Sequence, residues 1–174
     1  MSRASLPVIR TERLLLSELT LDDADFIVEL LNEPAFVQYI GDKGVRTQEE
    51  ARDYLRQGPL DSYDRHGFGI MLTTTGDACT PLGMCGLVKR EEFDDPDLGF
   101  AFLRRYWSRG YAYEAAAAVL EHANTTLGLC RVIAMADPEN TKSIRVLEKL
   151  GMRFERKVVM PGETGEIGLY AIGI

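Results

Sequence analysis

Residues 98–103, Leu-Gly-Phe-Ala-Phe-Leu, pass through an Arg-rich turn straight into a stretch built largely of alanine, and this junction constrains the fold more than any other part of the chain. A run without polar side chains suits a strand buried on both faces, which belongs in the middle of a sheet. Beyond the turn, Ala112, Ala115, Ala116, Val119, Leu120, Ala123 and Leu127 recur at helical spacing, and Gly128 stands where a left-handed residue commonly closes a helix. Side chains this small let the helix lie very close to the sheet.

The flanking segments supply the rest of a mixed order. Residues 11–19 read as a short Leu-rich strand that stops at Thr20, and Thr20 caps a helix whose apolar positions are Leu21, Ala24, Ile27, Val28 and Leu31. Asp22 and Asp23 stand in its first turn, near the positive end of the dipole, and Pro34 lies just past its end. Thr47 and Glu50 have capping-box spacing and start a second helix toward Leu55. Residues 68–73 and 82–88 form an antiparallel hairpin about Gly76, and the polar stretch 89–96 leads into the central strand. After the alanine-rich helix come a buried strand at 131–136, a helix capped by Asn140 and closed by Gly151, and strands at 154–160 and 166–172 around Pro161-Gly162. A doubly wound fold would alternate strand and helix throughout; this order does not.

Length and charge narrow the function. The 174 residues suit a single domain, taken as 1–174. With 20 Lys and Arg against 27 Asp and Glu, the net charge of -7 repels a phosphate backbone and argues against a nucleic-acid partner. Cys79, Cys85 and Cys130 are odd in number and lack metal-type spacing, so reduced thiols and no metal are expected. The opening Met1-Ser2-Arg3-Ala4-Ser5 precedes no long apolar run, so the expectation is a cytoplasmic protein with no signal peptide and no membrane span.

The turn itself gathers Arg104, Arg105 and Arg109 in an otherwise acidic chain. Unpaired N–H groups at a helix start, with Gly110 allowing close approach to the main chain, would hold a pyrophosphate. The same residues also read as solvated turn arginines and a simple strand-to-helix bend, and composition leaves both readings open.

The stretch Trp107-Ser108-Arg109-Gly110-Tyr111-Ala112 is similar to the acetyl-CoA pyrophosphate loop of the GNAT family of N-acetyltransferases, whose pattern is Gln/Arg-x-x-Gly-x-Gly/Ala. Gly110 and Ala112 match its last fixed positions. Trp107 replaces the Gln/Arg, as in the branch of ribosomal-protein alanine/serine N-acetyltransferases. Asn140-Thr141-Lys142-Ser143 followed by Leu150-Gly151-Met152 resembles that branch's Asn-x-x-Ser helix and its ending, and Thr11-Glu12-Arg13-Leu14 with Asp22-Asp23-Ala24 resembles its opening strand and helix. The likeness covers nearly the whole chain.

The resemblance implies an α/β (α+β) fold with a mixed, mostly antiparallel sheet of about seven strands, two of them splayed around the thioester arm of coenzyme A, and about four helices. It implies acetyl-CoA as cosubstrate, no metal, and an amine acceptor that is a small molecule or a protein N-terminus, in a monomer or homodimer. Phe100 and Phe102 would flank the pantetheine arm, although both also read as ordinary core aromatics. Trp107, Ser108, Arg109, Gly110, Tyr111 and Ala112 would form the pyrophosphate site, with Trp107 anchored beneath the loop, and Asn140 and Ser143 would face the arm.

Direct transfer needs a base for the amine proton and an acid for the departing thiolate. Asp97 stands where the family often carries a Glu that takes the proton, but Glu91, Glu92, Asp94 and Asp95 crowd the same loop, and a water network would also serve. The family's usual tyrosine acid falls on Leu147, so Ser143 is the candidate left, within a hydrogen-bond chain. A rival class is an inactive acyl-CoA-binding sensor or structural subunit on the same fold.

Overall fold

The computed structural model describes residues 5–174, so Met1 to Ala4, read above as part of an N-terminus free of a signal peptide, lie outside the described residues. Two short strands open the fold, β1 (Ile9–Arg10) and β2 (Leu14–Glu18), with Leu14 and Leu16 facing the core. Thr20 and Asp23 then close a capping box over a 3-10 turn that runs into α1 (Ala24–Leu31).

More helix follows than the two segments read from the sequence. Pro34 begins α2 (Pro34–Tyr39) instead of merely following α1, because a helix's first turn needs no N–H from it. α3 (Gln48–Leu55) starts at the expected capping box of Thr47 and Glu50. It does not stop at Leu55: a π-helical stretch, Arg56–Leu60, absorbs Pro59 and passes into α4 (Asp61–His66). Tyr63 of α4 is fully buried; its hydroxyl accepts the Leu19 N–H at 3.0 Å and donates to the Ile70 carbonyl, which ties these helices to the sheet.

The remaining elements are β3 (Ile70–Thr75), β4 (Pro81–Val88), β5 (Asp97–Phe102), α5 (Tyr111–Thr125), β6 (Arg131–Ala136), α6 (Thr141–Lys149), β7 (Arg153–Val159) and β8 (Glu166–Gly173). They complete one eight-stranded sheet in the order β1-β2-β3-β4-β5-β6-β8-β7, antiparallel everywhere except between β5 and β6. The strand beyond the expected seven is β1, whose two residues pair with Leu15 and Leu16.

Alternation along β5 divides the core. Leu98 and Phe102 join the α5 face, where Ala115, Ala116, Val119 and Ala123 sit close to the sheet with Leu147 of α6. Ala101 and Leu103 join the opposite face, built by Ile27, Leu30, Phe36 and Leu55 of the N-terminal helices. A third cluster packs Phe93 of the 89–96 loop on Ile133, Leu169 and Ala171. β5 departs from the expected burial on both faces: Leu98 and Phe102 are buried, but Gly99, Phe100 and Ala101 are only partly so. The cause is the loss of its neighbour on one side.

Candidate active site

Strands β5 and β6 pair at a single position, Asp97 opposite Ile133, reinforced by the Ile133 N–H donating to the Pro96 carbonyl at 3.0 Å. Beyond that point the two parallel strands part toward their C-terminal ends, and main-chain groups of β5 that would bond a neighbour have none in the sheet. Both α5 and α6 begin at this open end. The result is a cavity of about 380 Å³, walled by Phe100 to Phe102, the turn after β5, the first turns of α5 and α6, and α2.

The turn is held in an unusual shape. Ser108 (φ 60°) and Gly110 (φ 81°) both adopt left-handed backbone conformations, and the chain enters α5 along the cavity, which Ser108, Gly110, Tyr111 and Ala112 line; the first N–H groups of a helix lack intrahelical partners. Trp107 is the anchor beneath it: the indole Nε1 donates to the Phe102 carbonyl at 2.8 Å. A brace comes from the other end of the chain. Arg13 donates through Nη1 to the Arg109 carbonyl at 2.9 Å and pairs through Nε and Nη2 with Glu114 at 2.7 Å, and its guanidinium lies 4.7 Å from the Tyr111 ring centroid. Thr11 also bonds Glu114, at 2.5 Å. Burial by itself would raise the Glu114 carboxyl, but the bonds from Thr11 and Arg13 outweigh it and hold the pKa below the ordinary range.

Asn140 caps α6, its Oδ1 accepting the Ser143 N–H at 3.2 Å, and both residues line the cavity. Lys142, Arg145 and Lys149 of the same helix also reach the wall. The Lys142 and Lys149 ammonium groups lie 5.0 Å and 4.3 Å from the Trp107 and Tyr113 ring centroids. An acidic protein thus has a basic rim here.

The structure brings Phe100, Phe102, Trp107, Ser108, Gly110, Tyr111, Ala112, Asn140 and Ser143 together around this one cavity. Arg109 is not on its wall; its guanidinium lies 5.8 Å from the Tyr106 ring centroid. Asp97 is not on the wall either. It sits at the vertex of the slot, 3% exposed, accepting Arg90 Nε at 2.7 Å. Burial raises its pKa to about 6, opposed by Arg90 and by the Met135 N–H. Leu147, whose side chain has no hydroxyl, is the buried core residue of α6 and is not on the wall.

Sequence reading missed three groups. The 142, 145 and 149 positions share one helix face, a signal legible in spacing alone. Arg13 was seen only as part of a motif. Tyr39 and Ile40 lie at the end of a helix that Pro34 disguised.

The model of the acetyltransferase (GNAT) domain matches residues 13–153. The chain is 33% identical over 147 residues to YnaD, an uncharacterised N-acetyltransferase of Bacillus subtilis, covering 84% of this chain and 83% of the relative. A GNAT-family acetyltransferase from Bacillus anthracis superposes with a TM-score of 0.80 at 29% identity, covering 96% of this chain and 98% of that one. RimL, a ribosomal α-N-protein acetyltransferase solved in complex with coenzyme A, shares the fold with a TM-score of 0.82 at 16% identity, over 97% and 98% of the two chains.

Proposed function

Because the chain belongs to the GNAT acetyltransferase family, we propose that it transfers an acetyl group from acetyl-CoA to a primary amine, a small molecule or a protein N-terminus, with the coenzyme held between β5 and β6. The observation that carries this reading is the parting of those strands beside a helix start whose Gly110 is left-handed. The residues present fit the coenzyme. Backbone N–H groups from Ser108 to Ala112 suit its pyrophosphate, Lys142, Arg145 and Lys149 suit its phosphates, and Phe100 and Phe102 flank the space for the pantetheine arm.

Bound there, acetyl-CoA supplies an activated acyl carbon: attack by the amine forms an N–C bond and breaks the C–S bond, leaving one amine proton to be removed and a thiolate to be protonated. Asp97 takes the proton in this reading, through water, because its carboxylate is off the wall. A pKa of about 6 suits that role: the group is ionised near neutrality and still basic enough to accept. Ser143 lines the cavity while Asn140 occupies its amide, so in this reading its hydroxyl serves as donor to the sulfur within a hydrogen-bond chain.

Calorimetric titration with acetyl-CoA, followed by thiol release on a panel of amines, tests the proposal. Binding plus turnover supports it. Binding without turnover of any amine would make the protein a coenzyme-binding sensor, and absence of binding would end the reading.

A further inference from the structure

The two ends of the cavity differ in chemistry. One end is the basic and amide-rich rim described above. The other is apolar and aromatic, formed by Phe36 and Tyr39 of α2, Ile40 just past its end, Tyr106 and Ala101. Ile40 is 47% exposed and Val37, on the same helix, 37% exposed. No Asp or Glu of the described residues lines the cavity, and its charged wall residues are all basic. Carboxylates close to α2 lie off the wall with partners of their own: Glu33 accepts the Arg104 N–H at 3.4 Å, Glu29 pairs with Arg105 at 2.6 Å, and Asp42 pairs with Arg46 at 2.7 Å. Those of the 89–96 loop lie off the wall, with Asp95 bound to Arg131.

Polycations need carboxylates to replace the water they lose on binding, and like charge at the rim opposes them further. An apolar wall does the reverse for a flat hydrocarbon body, which gains by leaving water. It also helps the chemistry, because an ammonium group in apolar surroundings loses its proton more readily, and only the neutral amine attacks.

From this division we infer that the acceptor is a small primary amine carried on an aromatic body, an arylalkylamine, whose ring rests against Tyr39 and Ile40. The inference rests on the acetyltransferase reading and specifies its acceptor. Ile40 and Tyr39 select the substrate and bind no part of the coenzyme.

The test measures initial rates of thiol release from acetyl-CoA with phenylethylamine, ethylamine and spermidine, beside calorimetry of acetyl-CoA alone. Phenylethylamine should exceed both other amines in kcat/KM by at least about tenfold. Ile40→Asp and Tyr39→Ala, at exposed or half-exposed positions, should each lower that value by about tenfold or more through KM, with the acetyl-CoA Kd within about twofold and an unchanged Tm. Spermidine equal to or better than phenylethylamine, no turnover of phenylethylamine, or variants that leave its KM unmoved would overturn the inference while acetyl-CoA binding stands. Failure of acetyl-CoA to bind would overturn the parent reading as well.

Discussion

At Gly110 the backbone turns through φ 81°, and a Cβ added there would lie 3.2 Å from Arg13 Nη2. A β-branched side chain is strained in that region by about 1–2 kcal/mol and would also push the brace away from the loop. Gly110→Val should therefore weaken acetyl-CoA binding by at least about tenfold in calorimetry, with a stability loss of about that same 1–2 kcal/mol in urea unfolding. Asp97 makes a prediction of opposite sign. Folded, it keeps its proton to about pH 6, whereas an unfolded aspartate loses it near 3.8. Below the lower value both states are protonated and the group takes nothing from stability. As pH rises from there to about 6, only the unfolded chain ionises, so stability falls by something on the order of 3 kcal/mol and then levels off. Asp97→Asn should flatten that part of the Tm–pH curve, and Arg90, 39% exposed, can turn to water. If Asp97 is the base, the same variant loses the rise of kcat/KM through pH 6 and about 100-fold or more in rate. An intact pH limb would assign the proton transfer to another group.

Among the elements, α5 and α6 decide the site by where they start. The first turn of α5 is fixed to the head of β2 by Thr11, Arg13 and Glu114, contacts that span about a hundred residues of chain. Glu114→Gln removes the charge that holds Arg13 and should cost about 1 kcal/mol of stability, the pair being partly solvated. The larger effect should be on the loop: acetyl-CoA affinity falls roughly three- to tenfold, read by calorimetry, with kcat little changed. For α6, Asn140→Ala deletes the cap on the Ser143 N–H and should cost about 1 kcal/mol in urea unfolding. Loss of coenzyme affinity well beyond that amount would mean that Asn140 also touches the ligand.

For the molecule as a whole, the consequential feature is that strands β1 to β5 and strands β6 to β8 meet within the sheet at one residue pair. A ligand filling the slot bridges the two parts and binds only the folded chain. Acetyl-CoA at about 100 times its Kd should add about 2.7 kcal/mol, and so raise Tm by roughly 5–10 °C. A thermal scan with and without the coenzyme checks this, and an unmoved Tm would contradict binding in the slot. Much of this architecture was legible beforehand because it depends on local chemistry. The caps at Thr20 and Asn140, the capping box at Thr47 and the small-residue face of α5 act within a few residues, so their spacing shows in the sequence. Pro34 misled for the converse reason: proline usually marks a break, and only packing reveals that it holds a first-turn position. The sequence by itself therefore determined seven of the eight strands, the helices that begin at Thr20, Thr47, Gly110 and Asn140, and their order, all matters of short-range sterics and hydrogen bonding. Tertiary structure alone decided that β5 and β6 part after Asp97, that Arg13 braces a loop far along the chain, that Asp97 is buried beside Met135 of β6, and that α2 lends an apolar wall to the cavity. Each of those depends on which distant segments share space, and side-chain spacing along a chain does not encode that directly.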